Sequence, residues 1–151
     1  MNKVTVQVSV VVRSSPDKVW DYTQDWRRRR EWDAAVSEVL KIFPGPPPRI
    51  CARFAGGAVF NVEYKLYDRP HKTSLVMTPA DARTGAGWLT GGGGSWRYEA
   101  GPGSTEWVQT NTLVLRDHWL LRWLRPVISA ALRWSTRRAM SRAKRRIESA
   151  T

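Results

Sequence analysis

The sequence predicts an α+β fold: one antiparallel sheet of about seven strands, two short helices after the first strand, and a single long helix at the C-terminal end. Three patterns carry this. Val4, Val6, Val8, Val10 and Val12 alternate with Thr5, Gln7, Ser9 and Val11, which writes a period-two strand with one apolar face. Between Val36 and Arg116 apolar runs of strand length are separated by proline- and glycine-rich turns. From Pro126 onward Ile128, Ala131, Leu132, Ser135, Ala139, Ala143 and Ile147 recur at spacings of three and four, with arginines mostly between them.

The first strand stops at Ser14-Ser15-Pro16-Asp17. Ser15 is the N-cap, able to accept from orphan helix amides, and Pro16 suits the first helical position because its ring fixes φ. A short helix from Lys18 to about Gln24 follows, and Asp25 to Trp32 reads as a second, solvated one carrying Arg27-Arg28-Arg29-Arg30. Val36 to Phe43 is a strand ended by Pro44-Gly45-Pro46-Pro47-Pro48, where each proline lacks an amide donor. Ile50 to Ala55 and Ala58 to Tyr67 flank Gly56-Gly57, a two-residue hairpin turn in which both glycines take positive φ. Lys72 to Thr78 is a short strand, broken by Pro79 and by Arg83-Thr84-Gly85-Ala86-Gly87. Gly91 to Gly94 are expected in a mobile loop before the strand Ser95 to Ala100. Gly101-Pro102-Gly103 turns the chain into a last long strand, Thr105 to Arg116. An amphipathic helix of about twenty or more residues begins at or after Arg125-Pro126.

Composition narrows the function classes. A chain of 151 residues is most simply one domain, here residues 1–151. Cys51 is the only cysteine and there are two histidines, so neither a disulfide framework nor a Cys/His zinc site can be built; no metal or cofactor is expected. No segment reaches the roughly 18 apolar residues of a membrane span, and a cytoplasmic location is expected. The net charge is +12, unevenly placed: from Asp117 to Thr151 nine basic residues face two acidic ones. No Gly-x-Ser-x-Gly elbow, Gly-x-x-x-x-Gly-Lys loop or Gly-x-Gly-x-x-Gly spacing is present.

The element order, the Pro16-x-x-Val19-Trp20 helix start with Asp25, Glu31 and Trp32, and the C-terminal Arg138-Ala139-x-x-Arg142-x-Lys144-x-x-Ile147-Glu148 resemble the START/Bet v 1-like, or helix-grip, superfamily. Within it the chain looks like the polyketide cyclase/dehydrase and lipid-transport group. The resemblance implies a curved sheet wrapped around the C-terminal helix, with a cavity between them for a hydrophobic or aromatic small molecule. Strand alternation then proposes the lining: Phe60, Val62, Tyr64 and Leu66 on one strand face, Trp96 and Tyr98 on another, Trp107, Gln109 and Asn111 on the last, and Ile128 and Leu132 from the helix. Trp32 and Trp96 fall where related aromatase/cyclases carry pocket tryptophans. The position of their arginine is held by Leu66, and that of their tyrosine by Val39.

The leading expectation is therefore a carrier of a polyketide- or lipid-like molecule, with two alternatives: an aromatase/cyclase or dehydrase acting in the same cavity, and a basic surface protein contacting anionic membrane or nucleic acid. Tyr64, Tyr98 and Arg53 are the polar candidates for a substrate carbonyl, with Gln109 and Asn111 orienting the chain. His118 reads as a helix-capping histidine rather than a general base, and His71 as a turn residue. The run from His118 to Arg125, leucine and tryptophan beside arginine, has the composition of segments that contact an anionic membrane transiently. Nucleic acid is not an expected partner, because no recognisable motif accompanies the arginines.

Overall fold

The computed structural model describes residues 2–150; Met1 and Thr151 lie outside the described residues. Seven antiparallel strands form one sheet in the order β1-β7-β6-β5-β4-β3-β2. They are β1 Asn2–Val12, β2 Val36–Phe43, β3 Arg49–Phe54, β4 Val59–Asp68, β5 Lys72–Pro79, β6 Leu89–Gly101 and β7 Ser104–Leu115. The helices are α1 Pro16–Thr23, the one-turn α2 Ala82–Gly85, α3 Trp119–Trp123 and α4 Arg125–Ser149, and a 3-10 turn spans Arg29–Glu31. The sheet curves around α4, and the apolar core lies between them.

Local chemistry sets most boundaries. Ser15 caps α1 by accepting from the Lys18 amide at 3.4 Å, with Pro16 in the first turn. Gly56 and Gly57 take φ of 92° and 95° in the β3–β4 turn, a backbone region that favours glycine. His118 caps α3, its Nδ1 accepting from the Leu120 amide at 3.2 Å. His71 is exposed in the β4–β5 turn.

The expected loop at Gly91 to Gly94 is instead the first half of β6, paired to both β5 and β7. Glycine is needed there for contact, not for mobility. A Cβ at Gly92 would sit 2.8 Å from the Thr112 carbonyl oxygen, at Gly93 2.7 Å from that of Leu75, and at Gly94 2.7 Å from the Trp96 ring. The bare backbone lets neighbouring strands close up and the sheet bend. Gly93→Ala is expected to destabilise the protein by about 1–3 kcal/mol in chemical denaturation, since the obstructing atom is backbone and cannot rotate away.

A register shift between Tyr64 and Leu66 changes the reading of β4. Tyr64 points inward, but the irregularity hands the next inward place to Tyr67, and Leu66 is exposed on the outer face. Period-two counting cannot see such a shift.

Helix α4 runs along edge strand β1 and covers its open side. Arg133 Nη1 donates to Gln7 O at 3.1 Å and Lys144 Nζ to Val11 O at 2.5 Å, which occupies edge carbonyls that would otherwise be free to pair. Glu148 fastens the far end: its carboxylate accepts from the Arg13 amide at 2.8 Å and from Lys144 at 3.1 Å. The Arg13 amide, helped by Lys144 and the Arg13 side chain, holds the Glu148 carboxyl down at about 2. A depressed carboxyl pKa stabilises the fold above the unfolded value of about 4.3, and that contribution is lost as pH falls toward the folded value. The stability gap between the parent and Glu148→Gln is therefore expected to be full near neutrality and to shrink progressively below about pH 4. Urea titrations at several pH values measure it; a gap that stays constant down to acid pH contradicts the assignment.

Candidate ligand-binding site

Under α1 and the C-terminal half of α4 the concave face of the sheet is aromatic. Helix α1 and the segment after it bring Trp20, Thr23, Gln24 and Trp26, the 3-10 turn region brings Arg29 and Trp32, β4 brings Tyr64, β6 Trp96 and Tyr98, and β7 Trp107 and Gln109; all are buried. Trp107 packs edge-on to Trp32, with ring centroids 5.6 Å apart, and stacks on Tyr98 at 6.3 Å. Trp20 meets Tyr98 edge-on at 5.4 Å.

One part of this interior is a directional hydrogen-bond relay. Trp26 Nε1 donates to Tyr64 Oη at 3.0 Å, and Tyr64 Oη donates to Gln24 Oε1 at 2.7 Å. Gln24 Nε2 donates to Tyr98 Oη at 2.8 Å, which lies 2.6 Å from Thr23 Oγ1. Thr23 gives its own proton to Val19 O at 2.8 Å, so the Tyr98 proton goes to Thr23. Both phenols are thus occupied as donor and as acceptor. Burial pushes Tyr64 up to about 12 and pushes Tyr98 up as well. At neutral pH neither hydroxyl is a base, and neither has a proton to spare.

The second part is Arg29. Its guanidinium carbon lies 4.4 Å from the Trp26 ring centroid, 4.7 Å from Trp32 and 5.2 Å from Trp96. Arg29 Nε donates to Asp33 Oδ2 at 3.0 Å and Nη1 to Thr23 O at 3.3 Å. Three indole faces, a carboxylate and a carbonyl together replace the water that a buried cation gives up. This corrects the expectation of a solvated arginine run: Arg27, Arg28 and Arg30 are exposed, whereas Arg29 is a floor of the interior. Its signal was present, since Trp26, Arg29 and Trp32 are three apart and Asp33 follows Arg29 by four, spacings that meet on one side of a helical turn.

The third part is unpaired. The indole N–H groups of Trp32, Trp96 and Trp107 and the amide oxygen of Gln109 are buried without a protein partner. Gln109 Nε2 donates to Asn111 Oδ1 at 3.1 Å, and Asn111 Nδ2 to Thr136 Oγ1 on α4 at 2.9 Å, which fixes the orientation of both amides and leaves Gln109 Oε1 free.

Among the expected lining residues, Trp32, Val62, Tyr64, Trp96, Tyr98, Trp107 and Gln109 are all buried on the concave side, and Asn111 is half-buried beside them. Phe60 is buried away from the aromatic centre, edge-on to Phe54 at 5.6 Å. Ile128 and Leu132 are half-buried on the N-terminal half of α4. Leu66 does not join them, for the register reason given above. Arg53 does not either: it lies on the outer face, with Nε 3.5 Å from Glu38 Oε1 and Nη1 donating to Gly57 O at 3.3 Å. Thr23, Gln24, Trp26, Arg29 and Tyr67 are interior residues that strand alternation alone could not nominate.

Residues 3–148 match the family model described as polyketide cyclase/dehydrase and lipid transport. No curated protein sequence is significantly similar to the chain. Among solved structures, the chain is similar to the Zhui aromatase/cyclase of Streptomyces sp. R1128, at 16% identity and TM-score 0.75 over 97% of this chain and 94% of that one. It is also similar to a protein of unknown function from Staphylococcus aureus (13% identity, TM-score 0.71, 99% and 96% covered) and to norcoclaurine synthase of Thalictrum flavum (11%, 0.65, 97% and 94%). At these identities the solved structures establish the shared helix-grip fold. With the family model matching almost its whole length, the chain belongs to the polyketide cyclase/dehydrase and lipid-transport family of the SRPBCC superfamily.

Proposed function

We propose that this protein binds a hydrophobic or aromatic small molecule, polyketide- or lipid-like, between the sheet and α4, and acts as its carrier. The observation that carries this reading is that four of the six buried side-chain polar atoms without a partner among the described residues gather in this one interior: three indole donors and one amide acceptor. Buried polar groups are nearly always paired, and each unpaired one costs about 1–3 kcal/mol. A planar ligand with carbonyl and hydroxyl oxygens along one edge satisfies both kinds at once, its rings meeting the indole faces. The fully engaged Tyr64 and Tyr98 hydroxyls favour holding over chemistry.

Native mass spectrometry of freshly purified protein tests for a retained ligand, and quenching of tryptophan emission by a dihydroxyanthraquinone tests affinity. Trp107→Phe and Gln109→Leu each remove one unpaired group, and each is expected to weaken the anthraquinone about tenfold. Affinity unchanged in both variants would remove these groups from the binding edge.

A second reading, aromatase/cyclase activity, is favoured by Arg29. A fixed cation among indoles stabilises the negative charge that develops on a carbonyl oxygen as a neighbouring carbon attacks. Product analysis with a reactive polyketone separates the two readings. An enzyme working through Arg29 loses its regiospecific ring in Arg29→Gln and keeps it in Tyr64→Phe; a carrier yields the same product mixture as buffer in every case.

A further inference from the structure

Five of the ten large apolar side chains exposed among the described residues fall in one stretch of α3 and α4: Trp119 at 70%, Leu120 at 42%, Trp123 at 80%, Val127 at 64% and Trp134 at 63%. Leu124, between the helices, keeps a right-handed helical backbone (φ −83°, ψ −1°). Its amide donates to Leu120 O and its carbonyl accepts from Ile128, both at 2.9 Å, so the two helices run nearly as one. Residues 119, 123, 127 and 134 then share one side, spaced by four, four and seven. Trp134 opens a depression of about 390 Å³ lined with it by Arg137, Arg138, Ser141, Arg142 and Arg145. The Arg138 guanidinium lies 5.3 Å from the Trp134 ring centroid.

Indoles this exposed contribute nothing to the core, and a contiguous apolar face rimmed by one sign of charge marks a contact surface. The occupant is selected by the rim. A second copy docked with its helix parallel would bring two arginine clusters together, and one docked antiparallel would set arginines against the apolar half with no counter-charge, so neither arrangement answers both parts of the face. A nucleic acid would satisfy the arginines but not Leu120 and Val127, which have no base-stacking plane. An anionic bilayer answers both: indoles and aliphatic side chains settle at headgroup depth while guanidinium groups meet lipid phosphates. No helix among the described residues is long and apolar enough to cross a membrane, so this geometry is one of lying on the surface.

We infer that the α3–α4 face is a docking surface for anionic phospholipid bilayers, with Trp119, Trp123 and Trp134 inserting and Arg137 and Arg138 contacting phosphate. This site is separate from the interior one and stands whether or not the interior holds a ligand. The test is sedimentation with vesicles of phosphatidylcholine and phosphatidylglycerol in equal parts, against vesicles of phosphatidylcholine alone. Binding is expected only to the anionic vesicles, with a blue shift of tryptophan emission and loss in high salt. The triple variant Trp119→Ser/Trp123→Ser/Trp134→Ser is expected to bind at least about tenfold more weakly. Arg137→Gln/Arg138→Gln should lose about fivefold per arginine. All five positions are exposed or on the helix exterior, so the variants leave the core intact. The proposal is overturned by no sedimentation at low salt, or by a triple variant that binds like the parent, which would reduce the effect to charge adsorption. Tighter binding to a DNA duplex than to the vesicles, or self-association through the same tryptophans, overturns it equally.

Discussion

Replacing Arg29 with methionine is expected to destabilise the protein by about 3–5 kcal/mol, the range for removing one partner of a buried ion pair. The cation is enclosed by Trp26, Trp32 and Trp96, and its loss takes three ring contacts, the 3.0 Å bond to Asp33 and the 3.3 Å bond to the Thr23 carbonyl. Methionine fills much of the volume, so the effect isolates charge and hydrogen bonding from packing. What remains is a carboxylate at Asp33 whose side chain is only 15% exposed, supported by the Ala35 amide at 3.1 Å. The neighbouring Arg30→Met is the control. Arg30 is exposed, and a change there is expected to stay within about 0.5 kcal/mol. Urea denaturation of the two variants decides the matter: comparable small losses would return Arg29 to the solvated run from which the structure separates it. A double-mutant cycle with Asp33→Asn is expected to show coupling of about 0.5–3 kcal/mol, because the two side chains share a bond.

The contrast between Arg29 and Arg30 also shows what could be read in the chain before its structure. The grip itself was legible, because it rests on periodicities: alternation in Val4 to Val12, spacing of three and four from Ile128 to Ile147, and glycine or proline where strands must turn. Inward strand positions such as Trp96, Tyr98, Trp107 and Gln109 follow from the same count. The count failed where pairing was irregular, as at Leu66 beyond the β4 register shift, and where glycine serves close approach rather than looping, as from Gly92 to Gly94. It was silent on Thr23, Gln24, Trp26 and Arg29. They sit at the end of α1 and in the turn after it, where the period is too short to count along: only the spacing of Trp26, Arg29, Trp32 and Asp33 marks which arginine of four goes inside, and tertiary contacts decide the rest.

Gln24 is the residue through which those missed positions act together. The Gln24→Leu variant is expected to lose about 2–4 kcal/mol, because it strands the Tyr64 hydroxyl proton in the core and removes a donor from Tyr98. Leucine matches the volume closely enough that overpacking is a minor part of the loss. The relay makes a sharper statement than the magnitude. The Tyr64 and Tyr98 hydroxyls are joined through the two ends of one amide, at 2.7 and 2.8 Å, so the groups should not contribute independently. Tyr64→Phe in the parent removes the donor to Gln24 and leaves Trp26 Nε1 without its acceptor at 3.0 Å. In the Gln24→Leu background the same change still unpairs Trp26 Nε1 but removes a hydroxyl whose proton is already stranded, so it should cost less than in the parent, with a coupling of about 0.5–3 kcal/mol. Additive losses would mean that the tyrosines are held by packing alone. In that case their hydroxyls would be free to face a ligand, and nothing in the relay would favour a carrier over a cyclase.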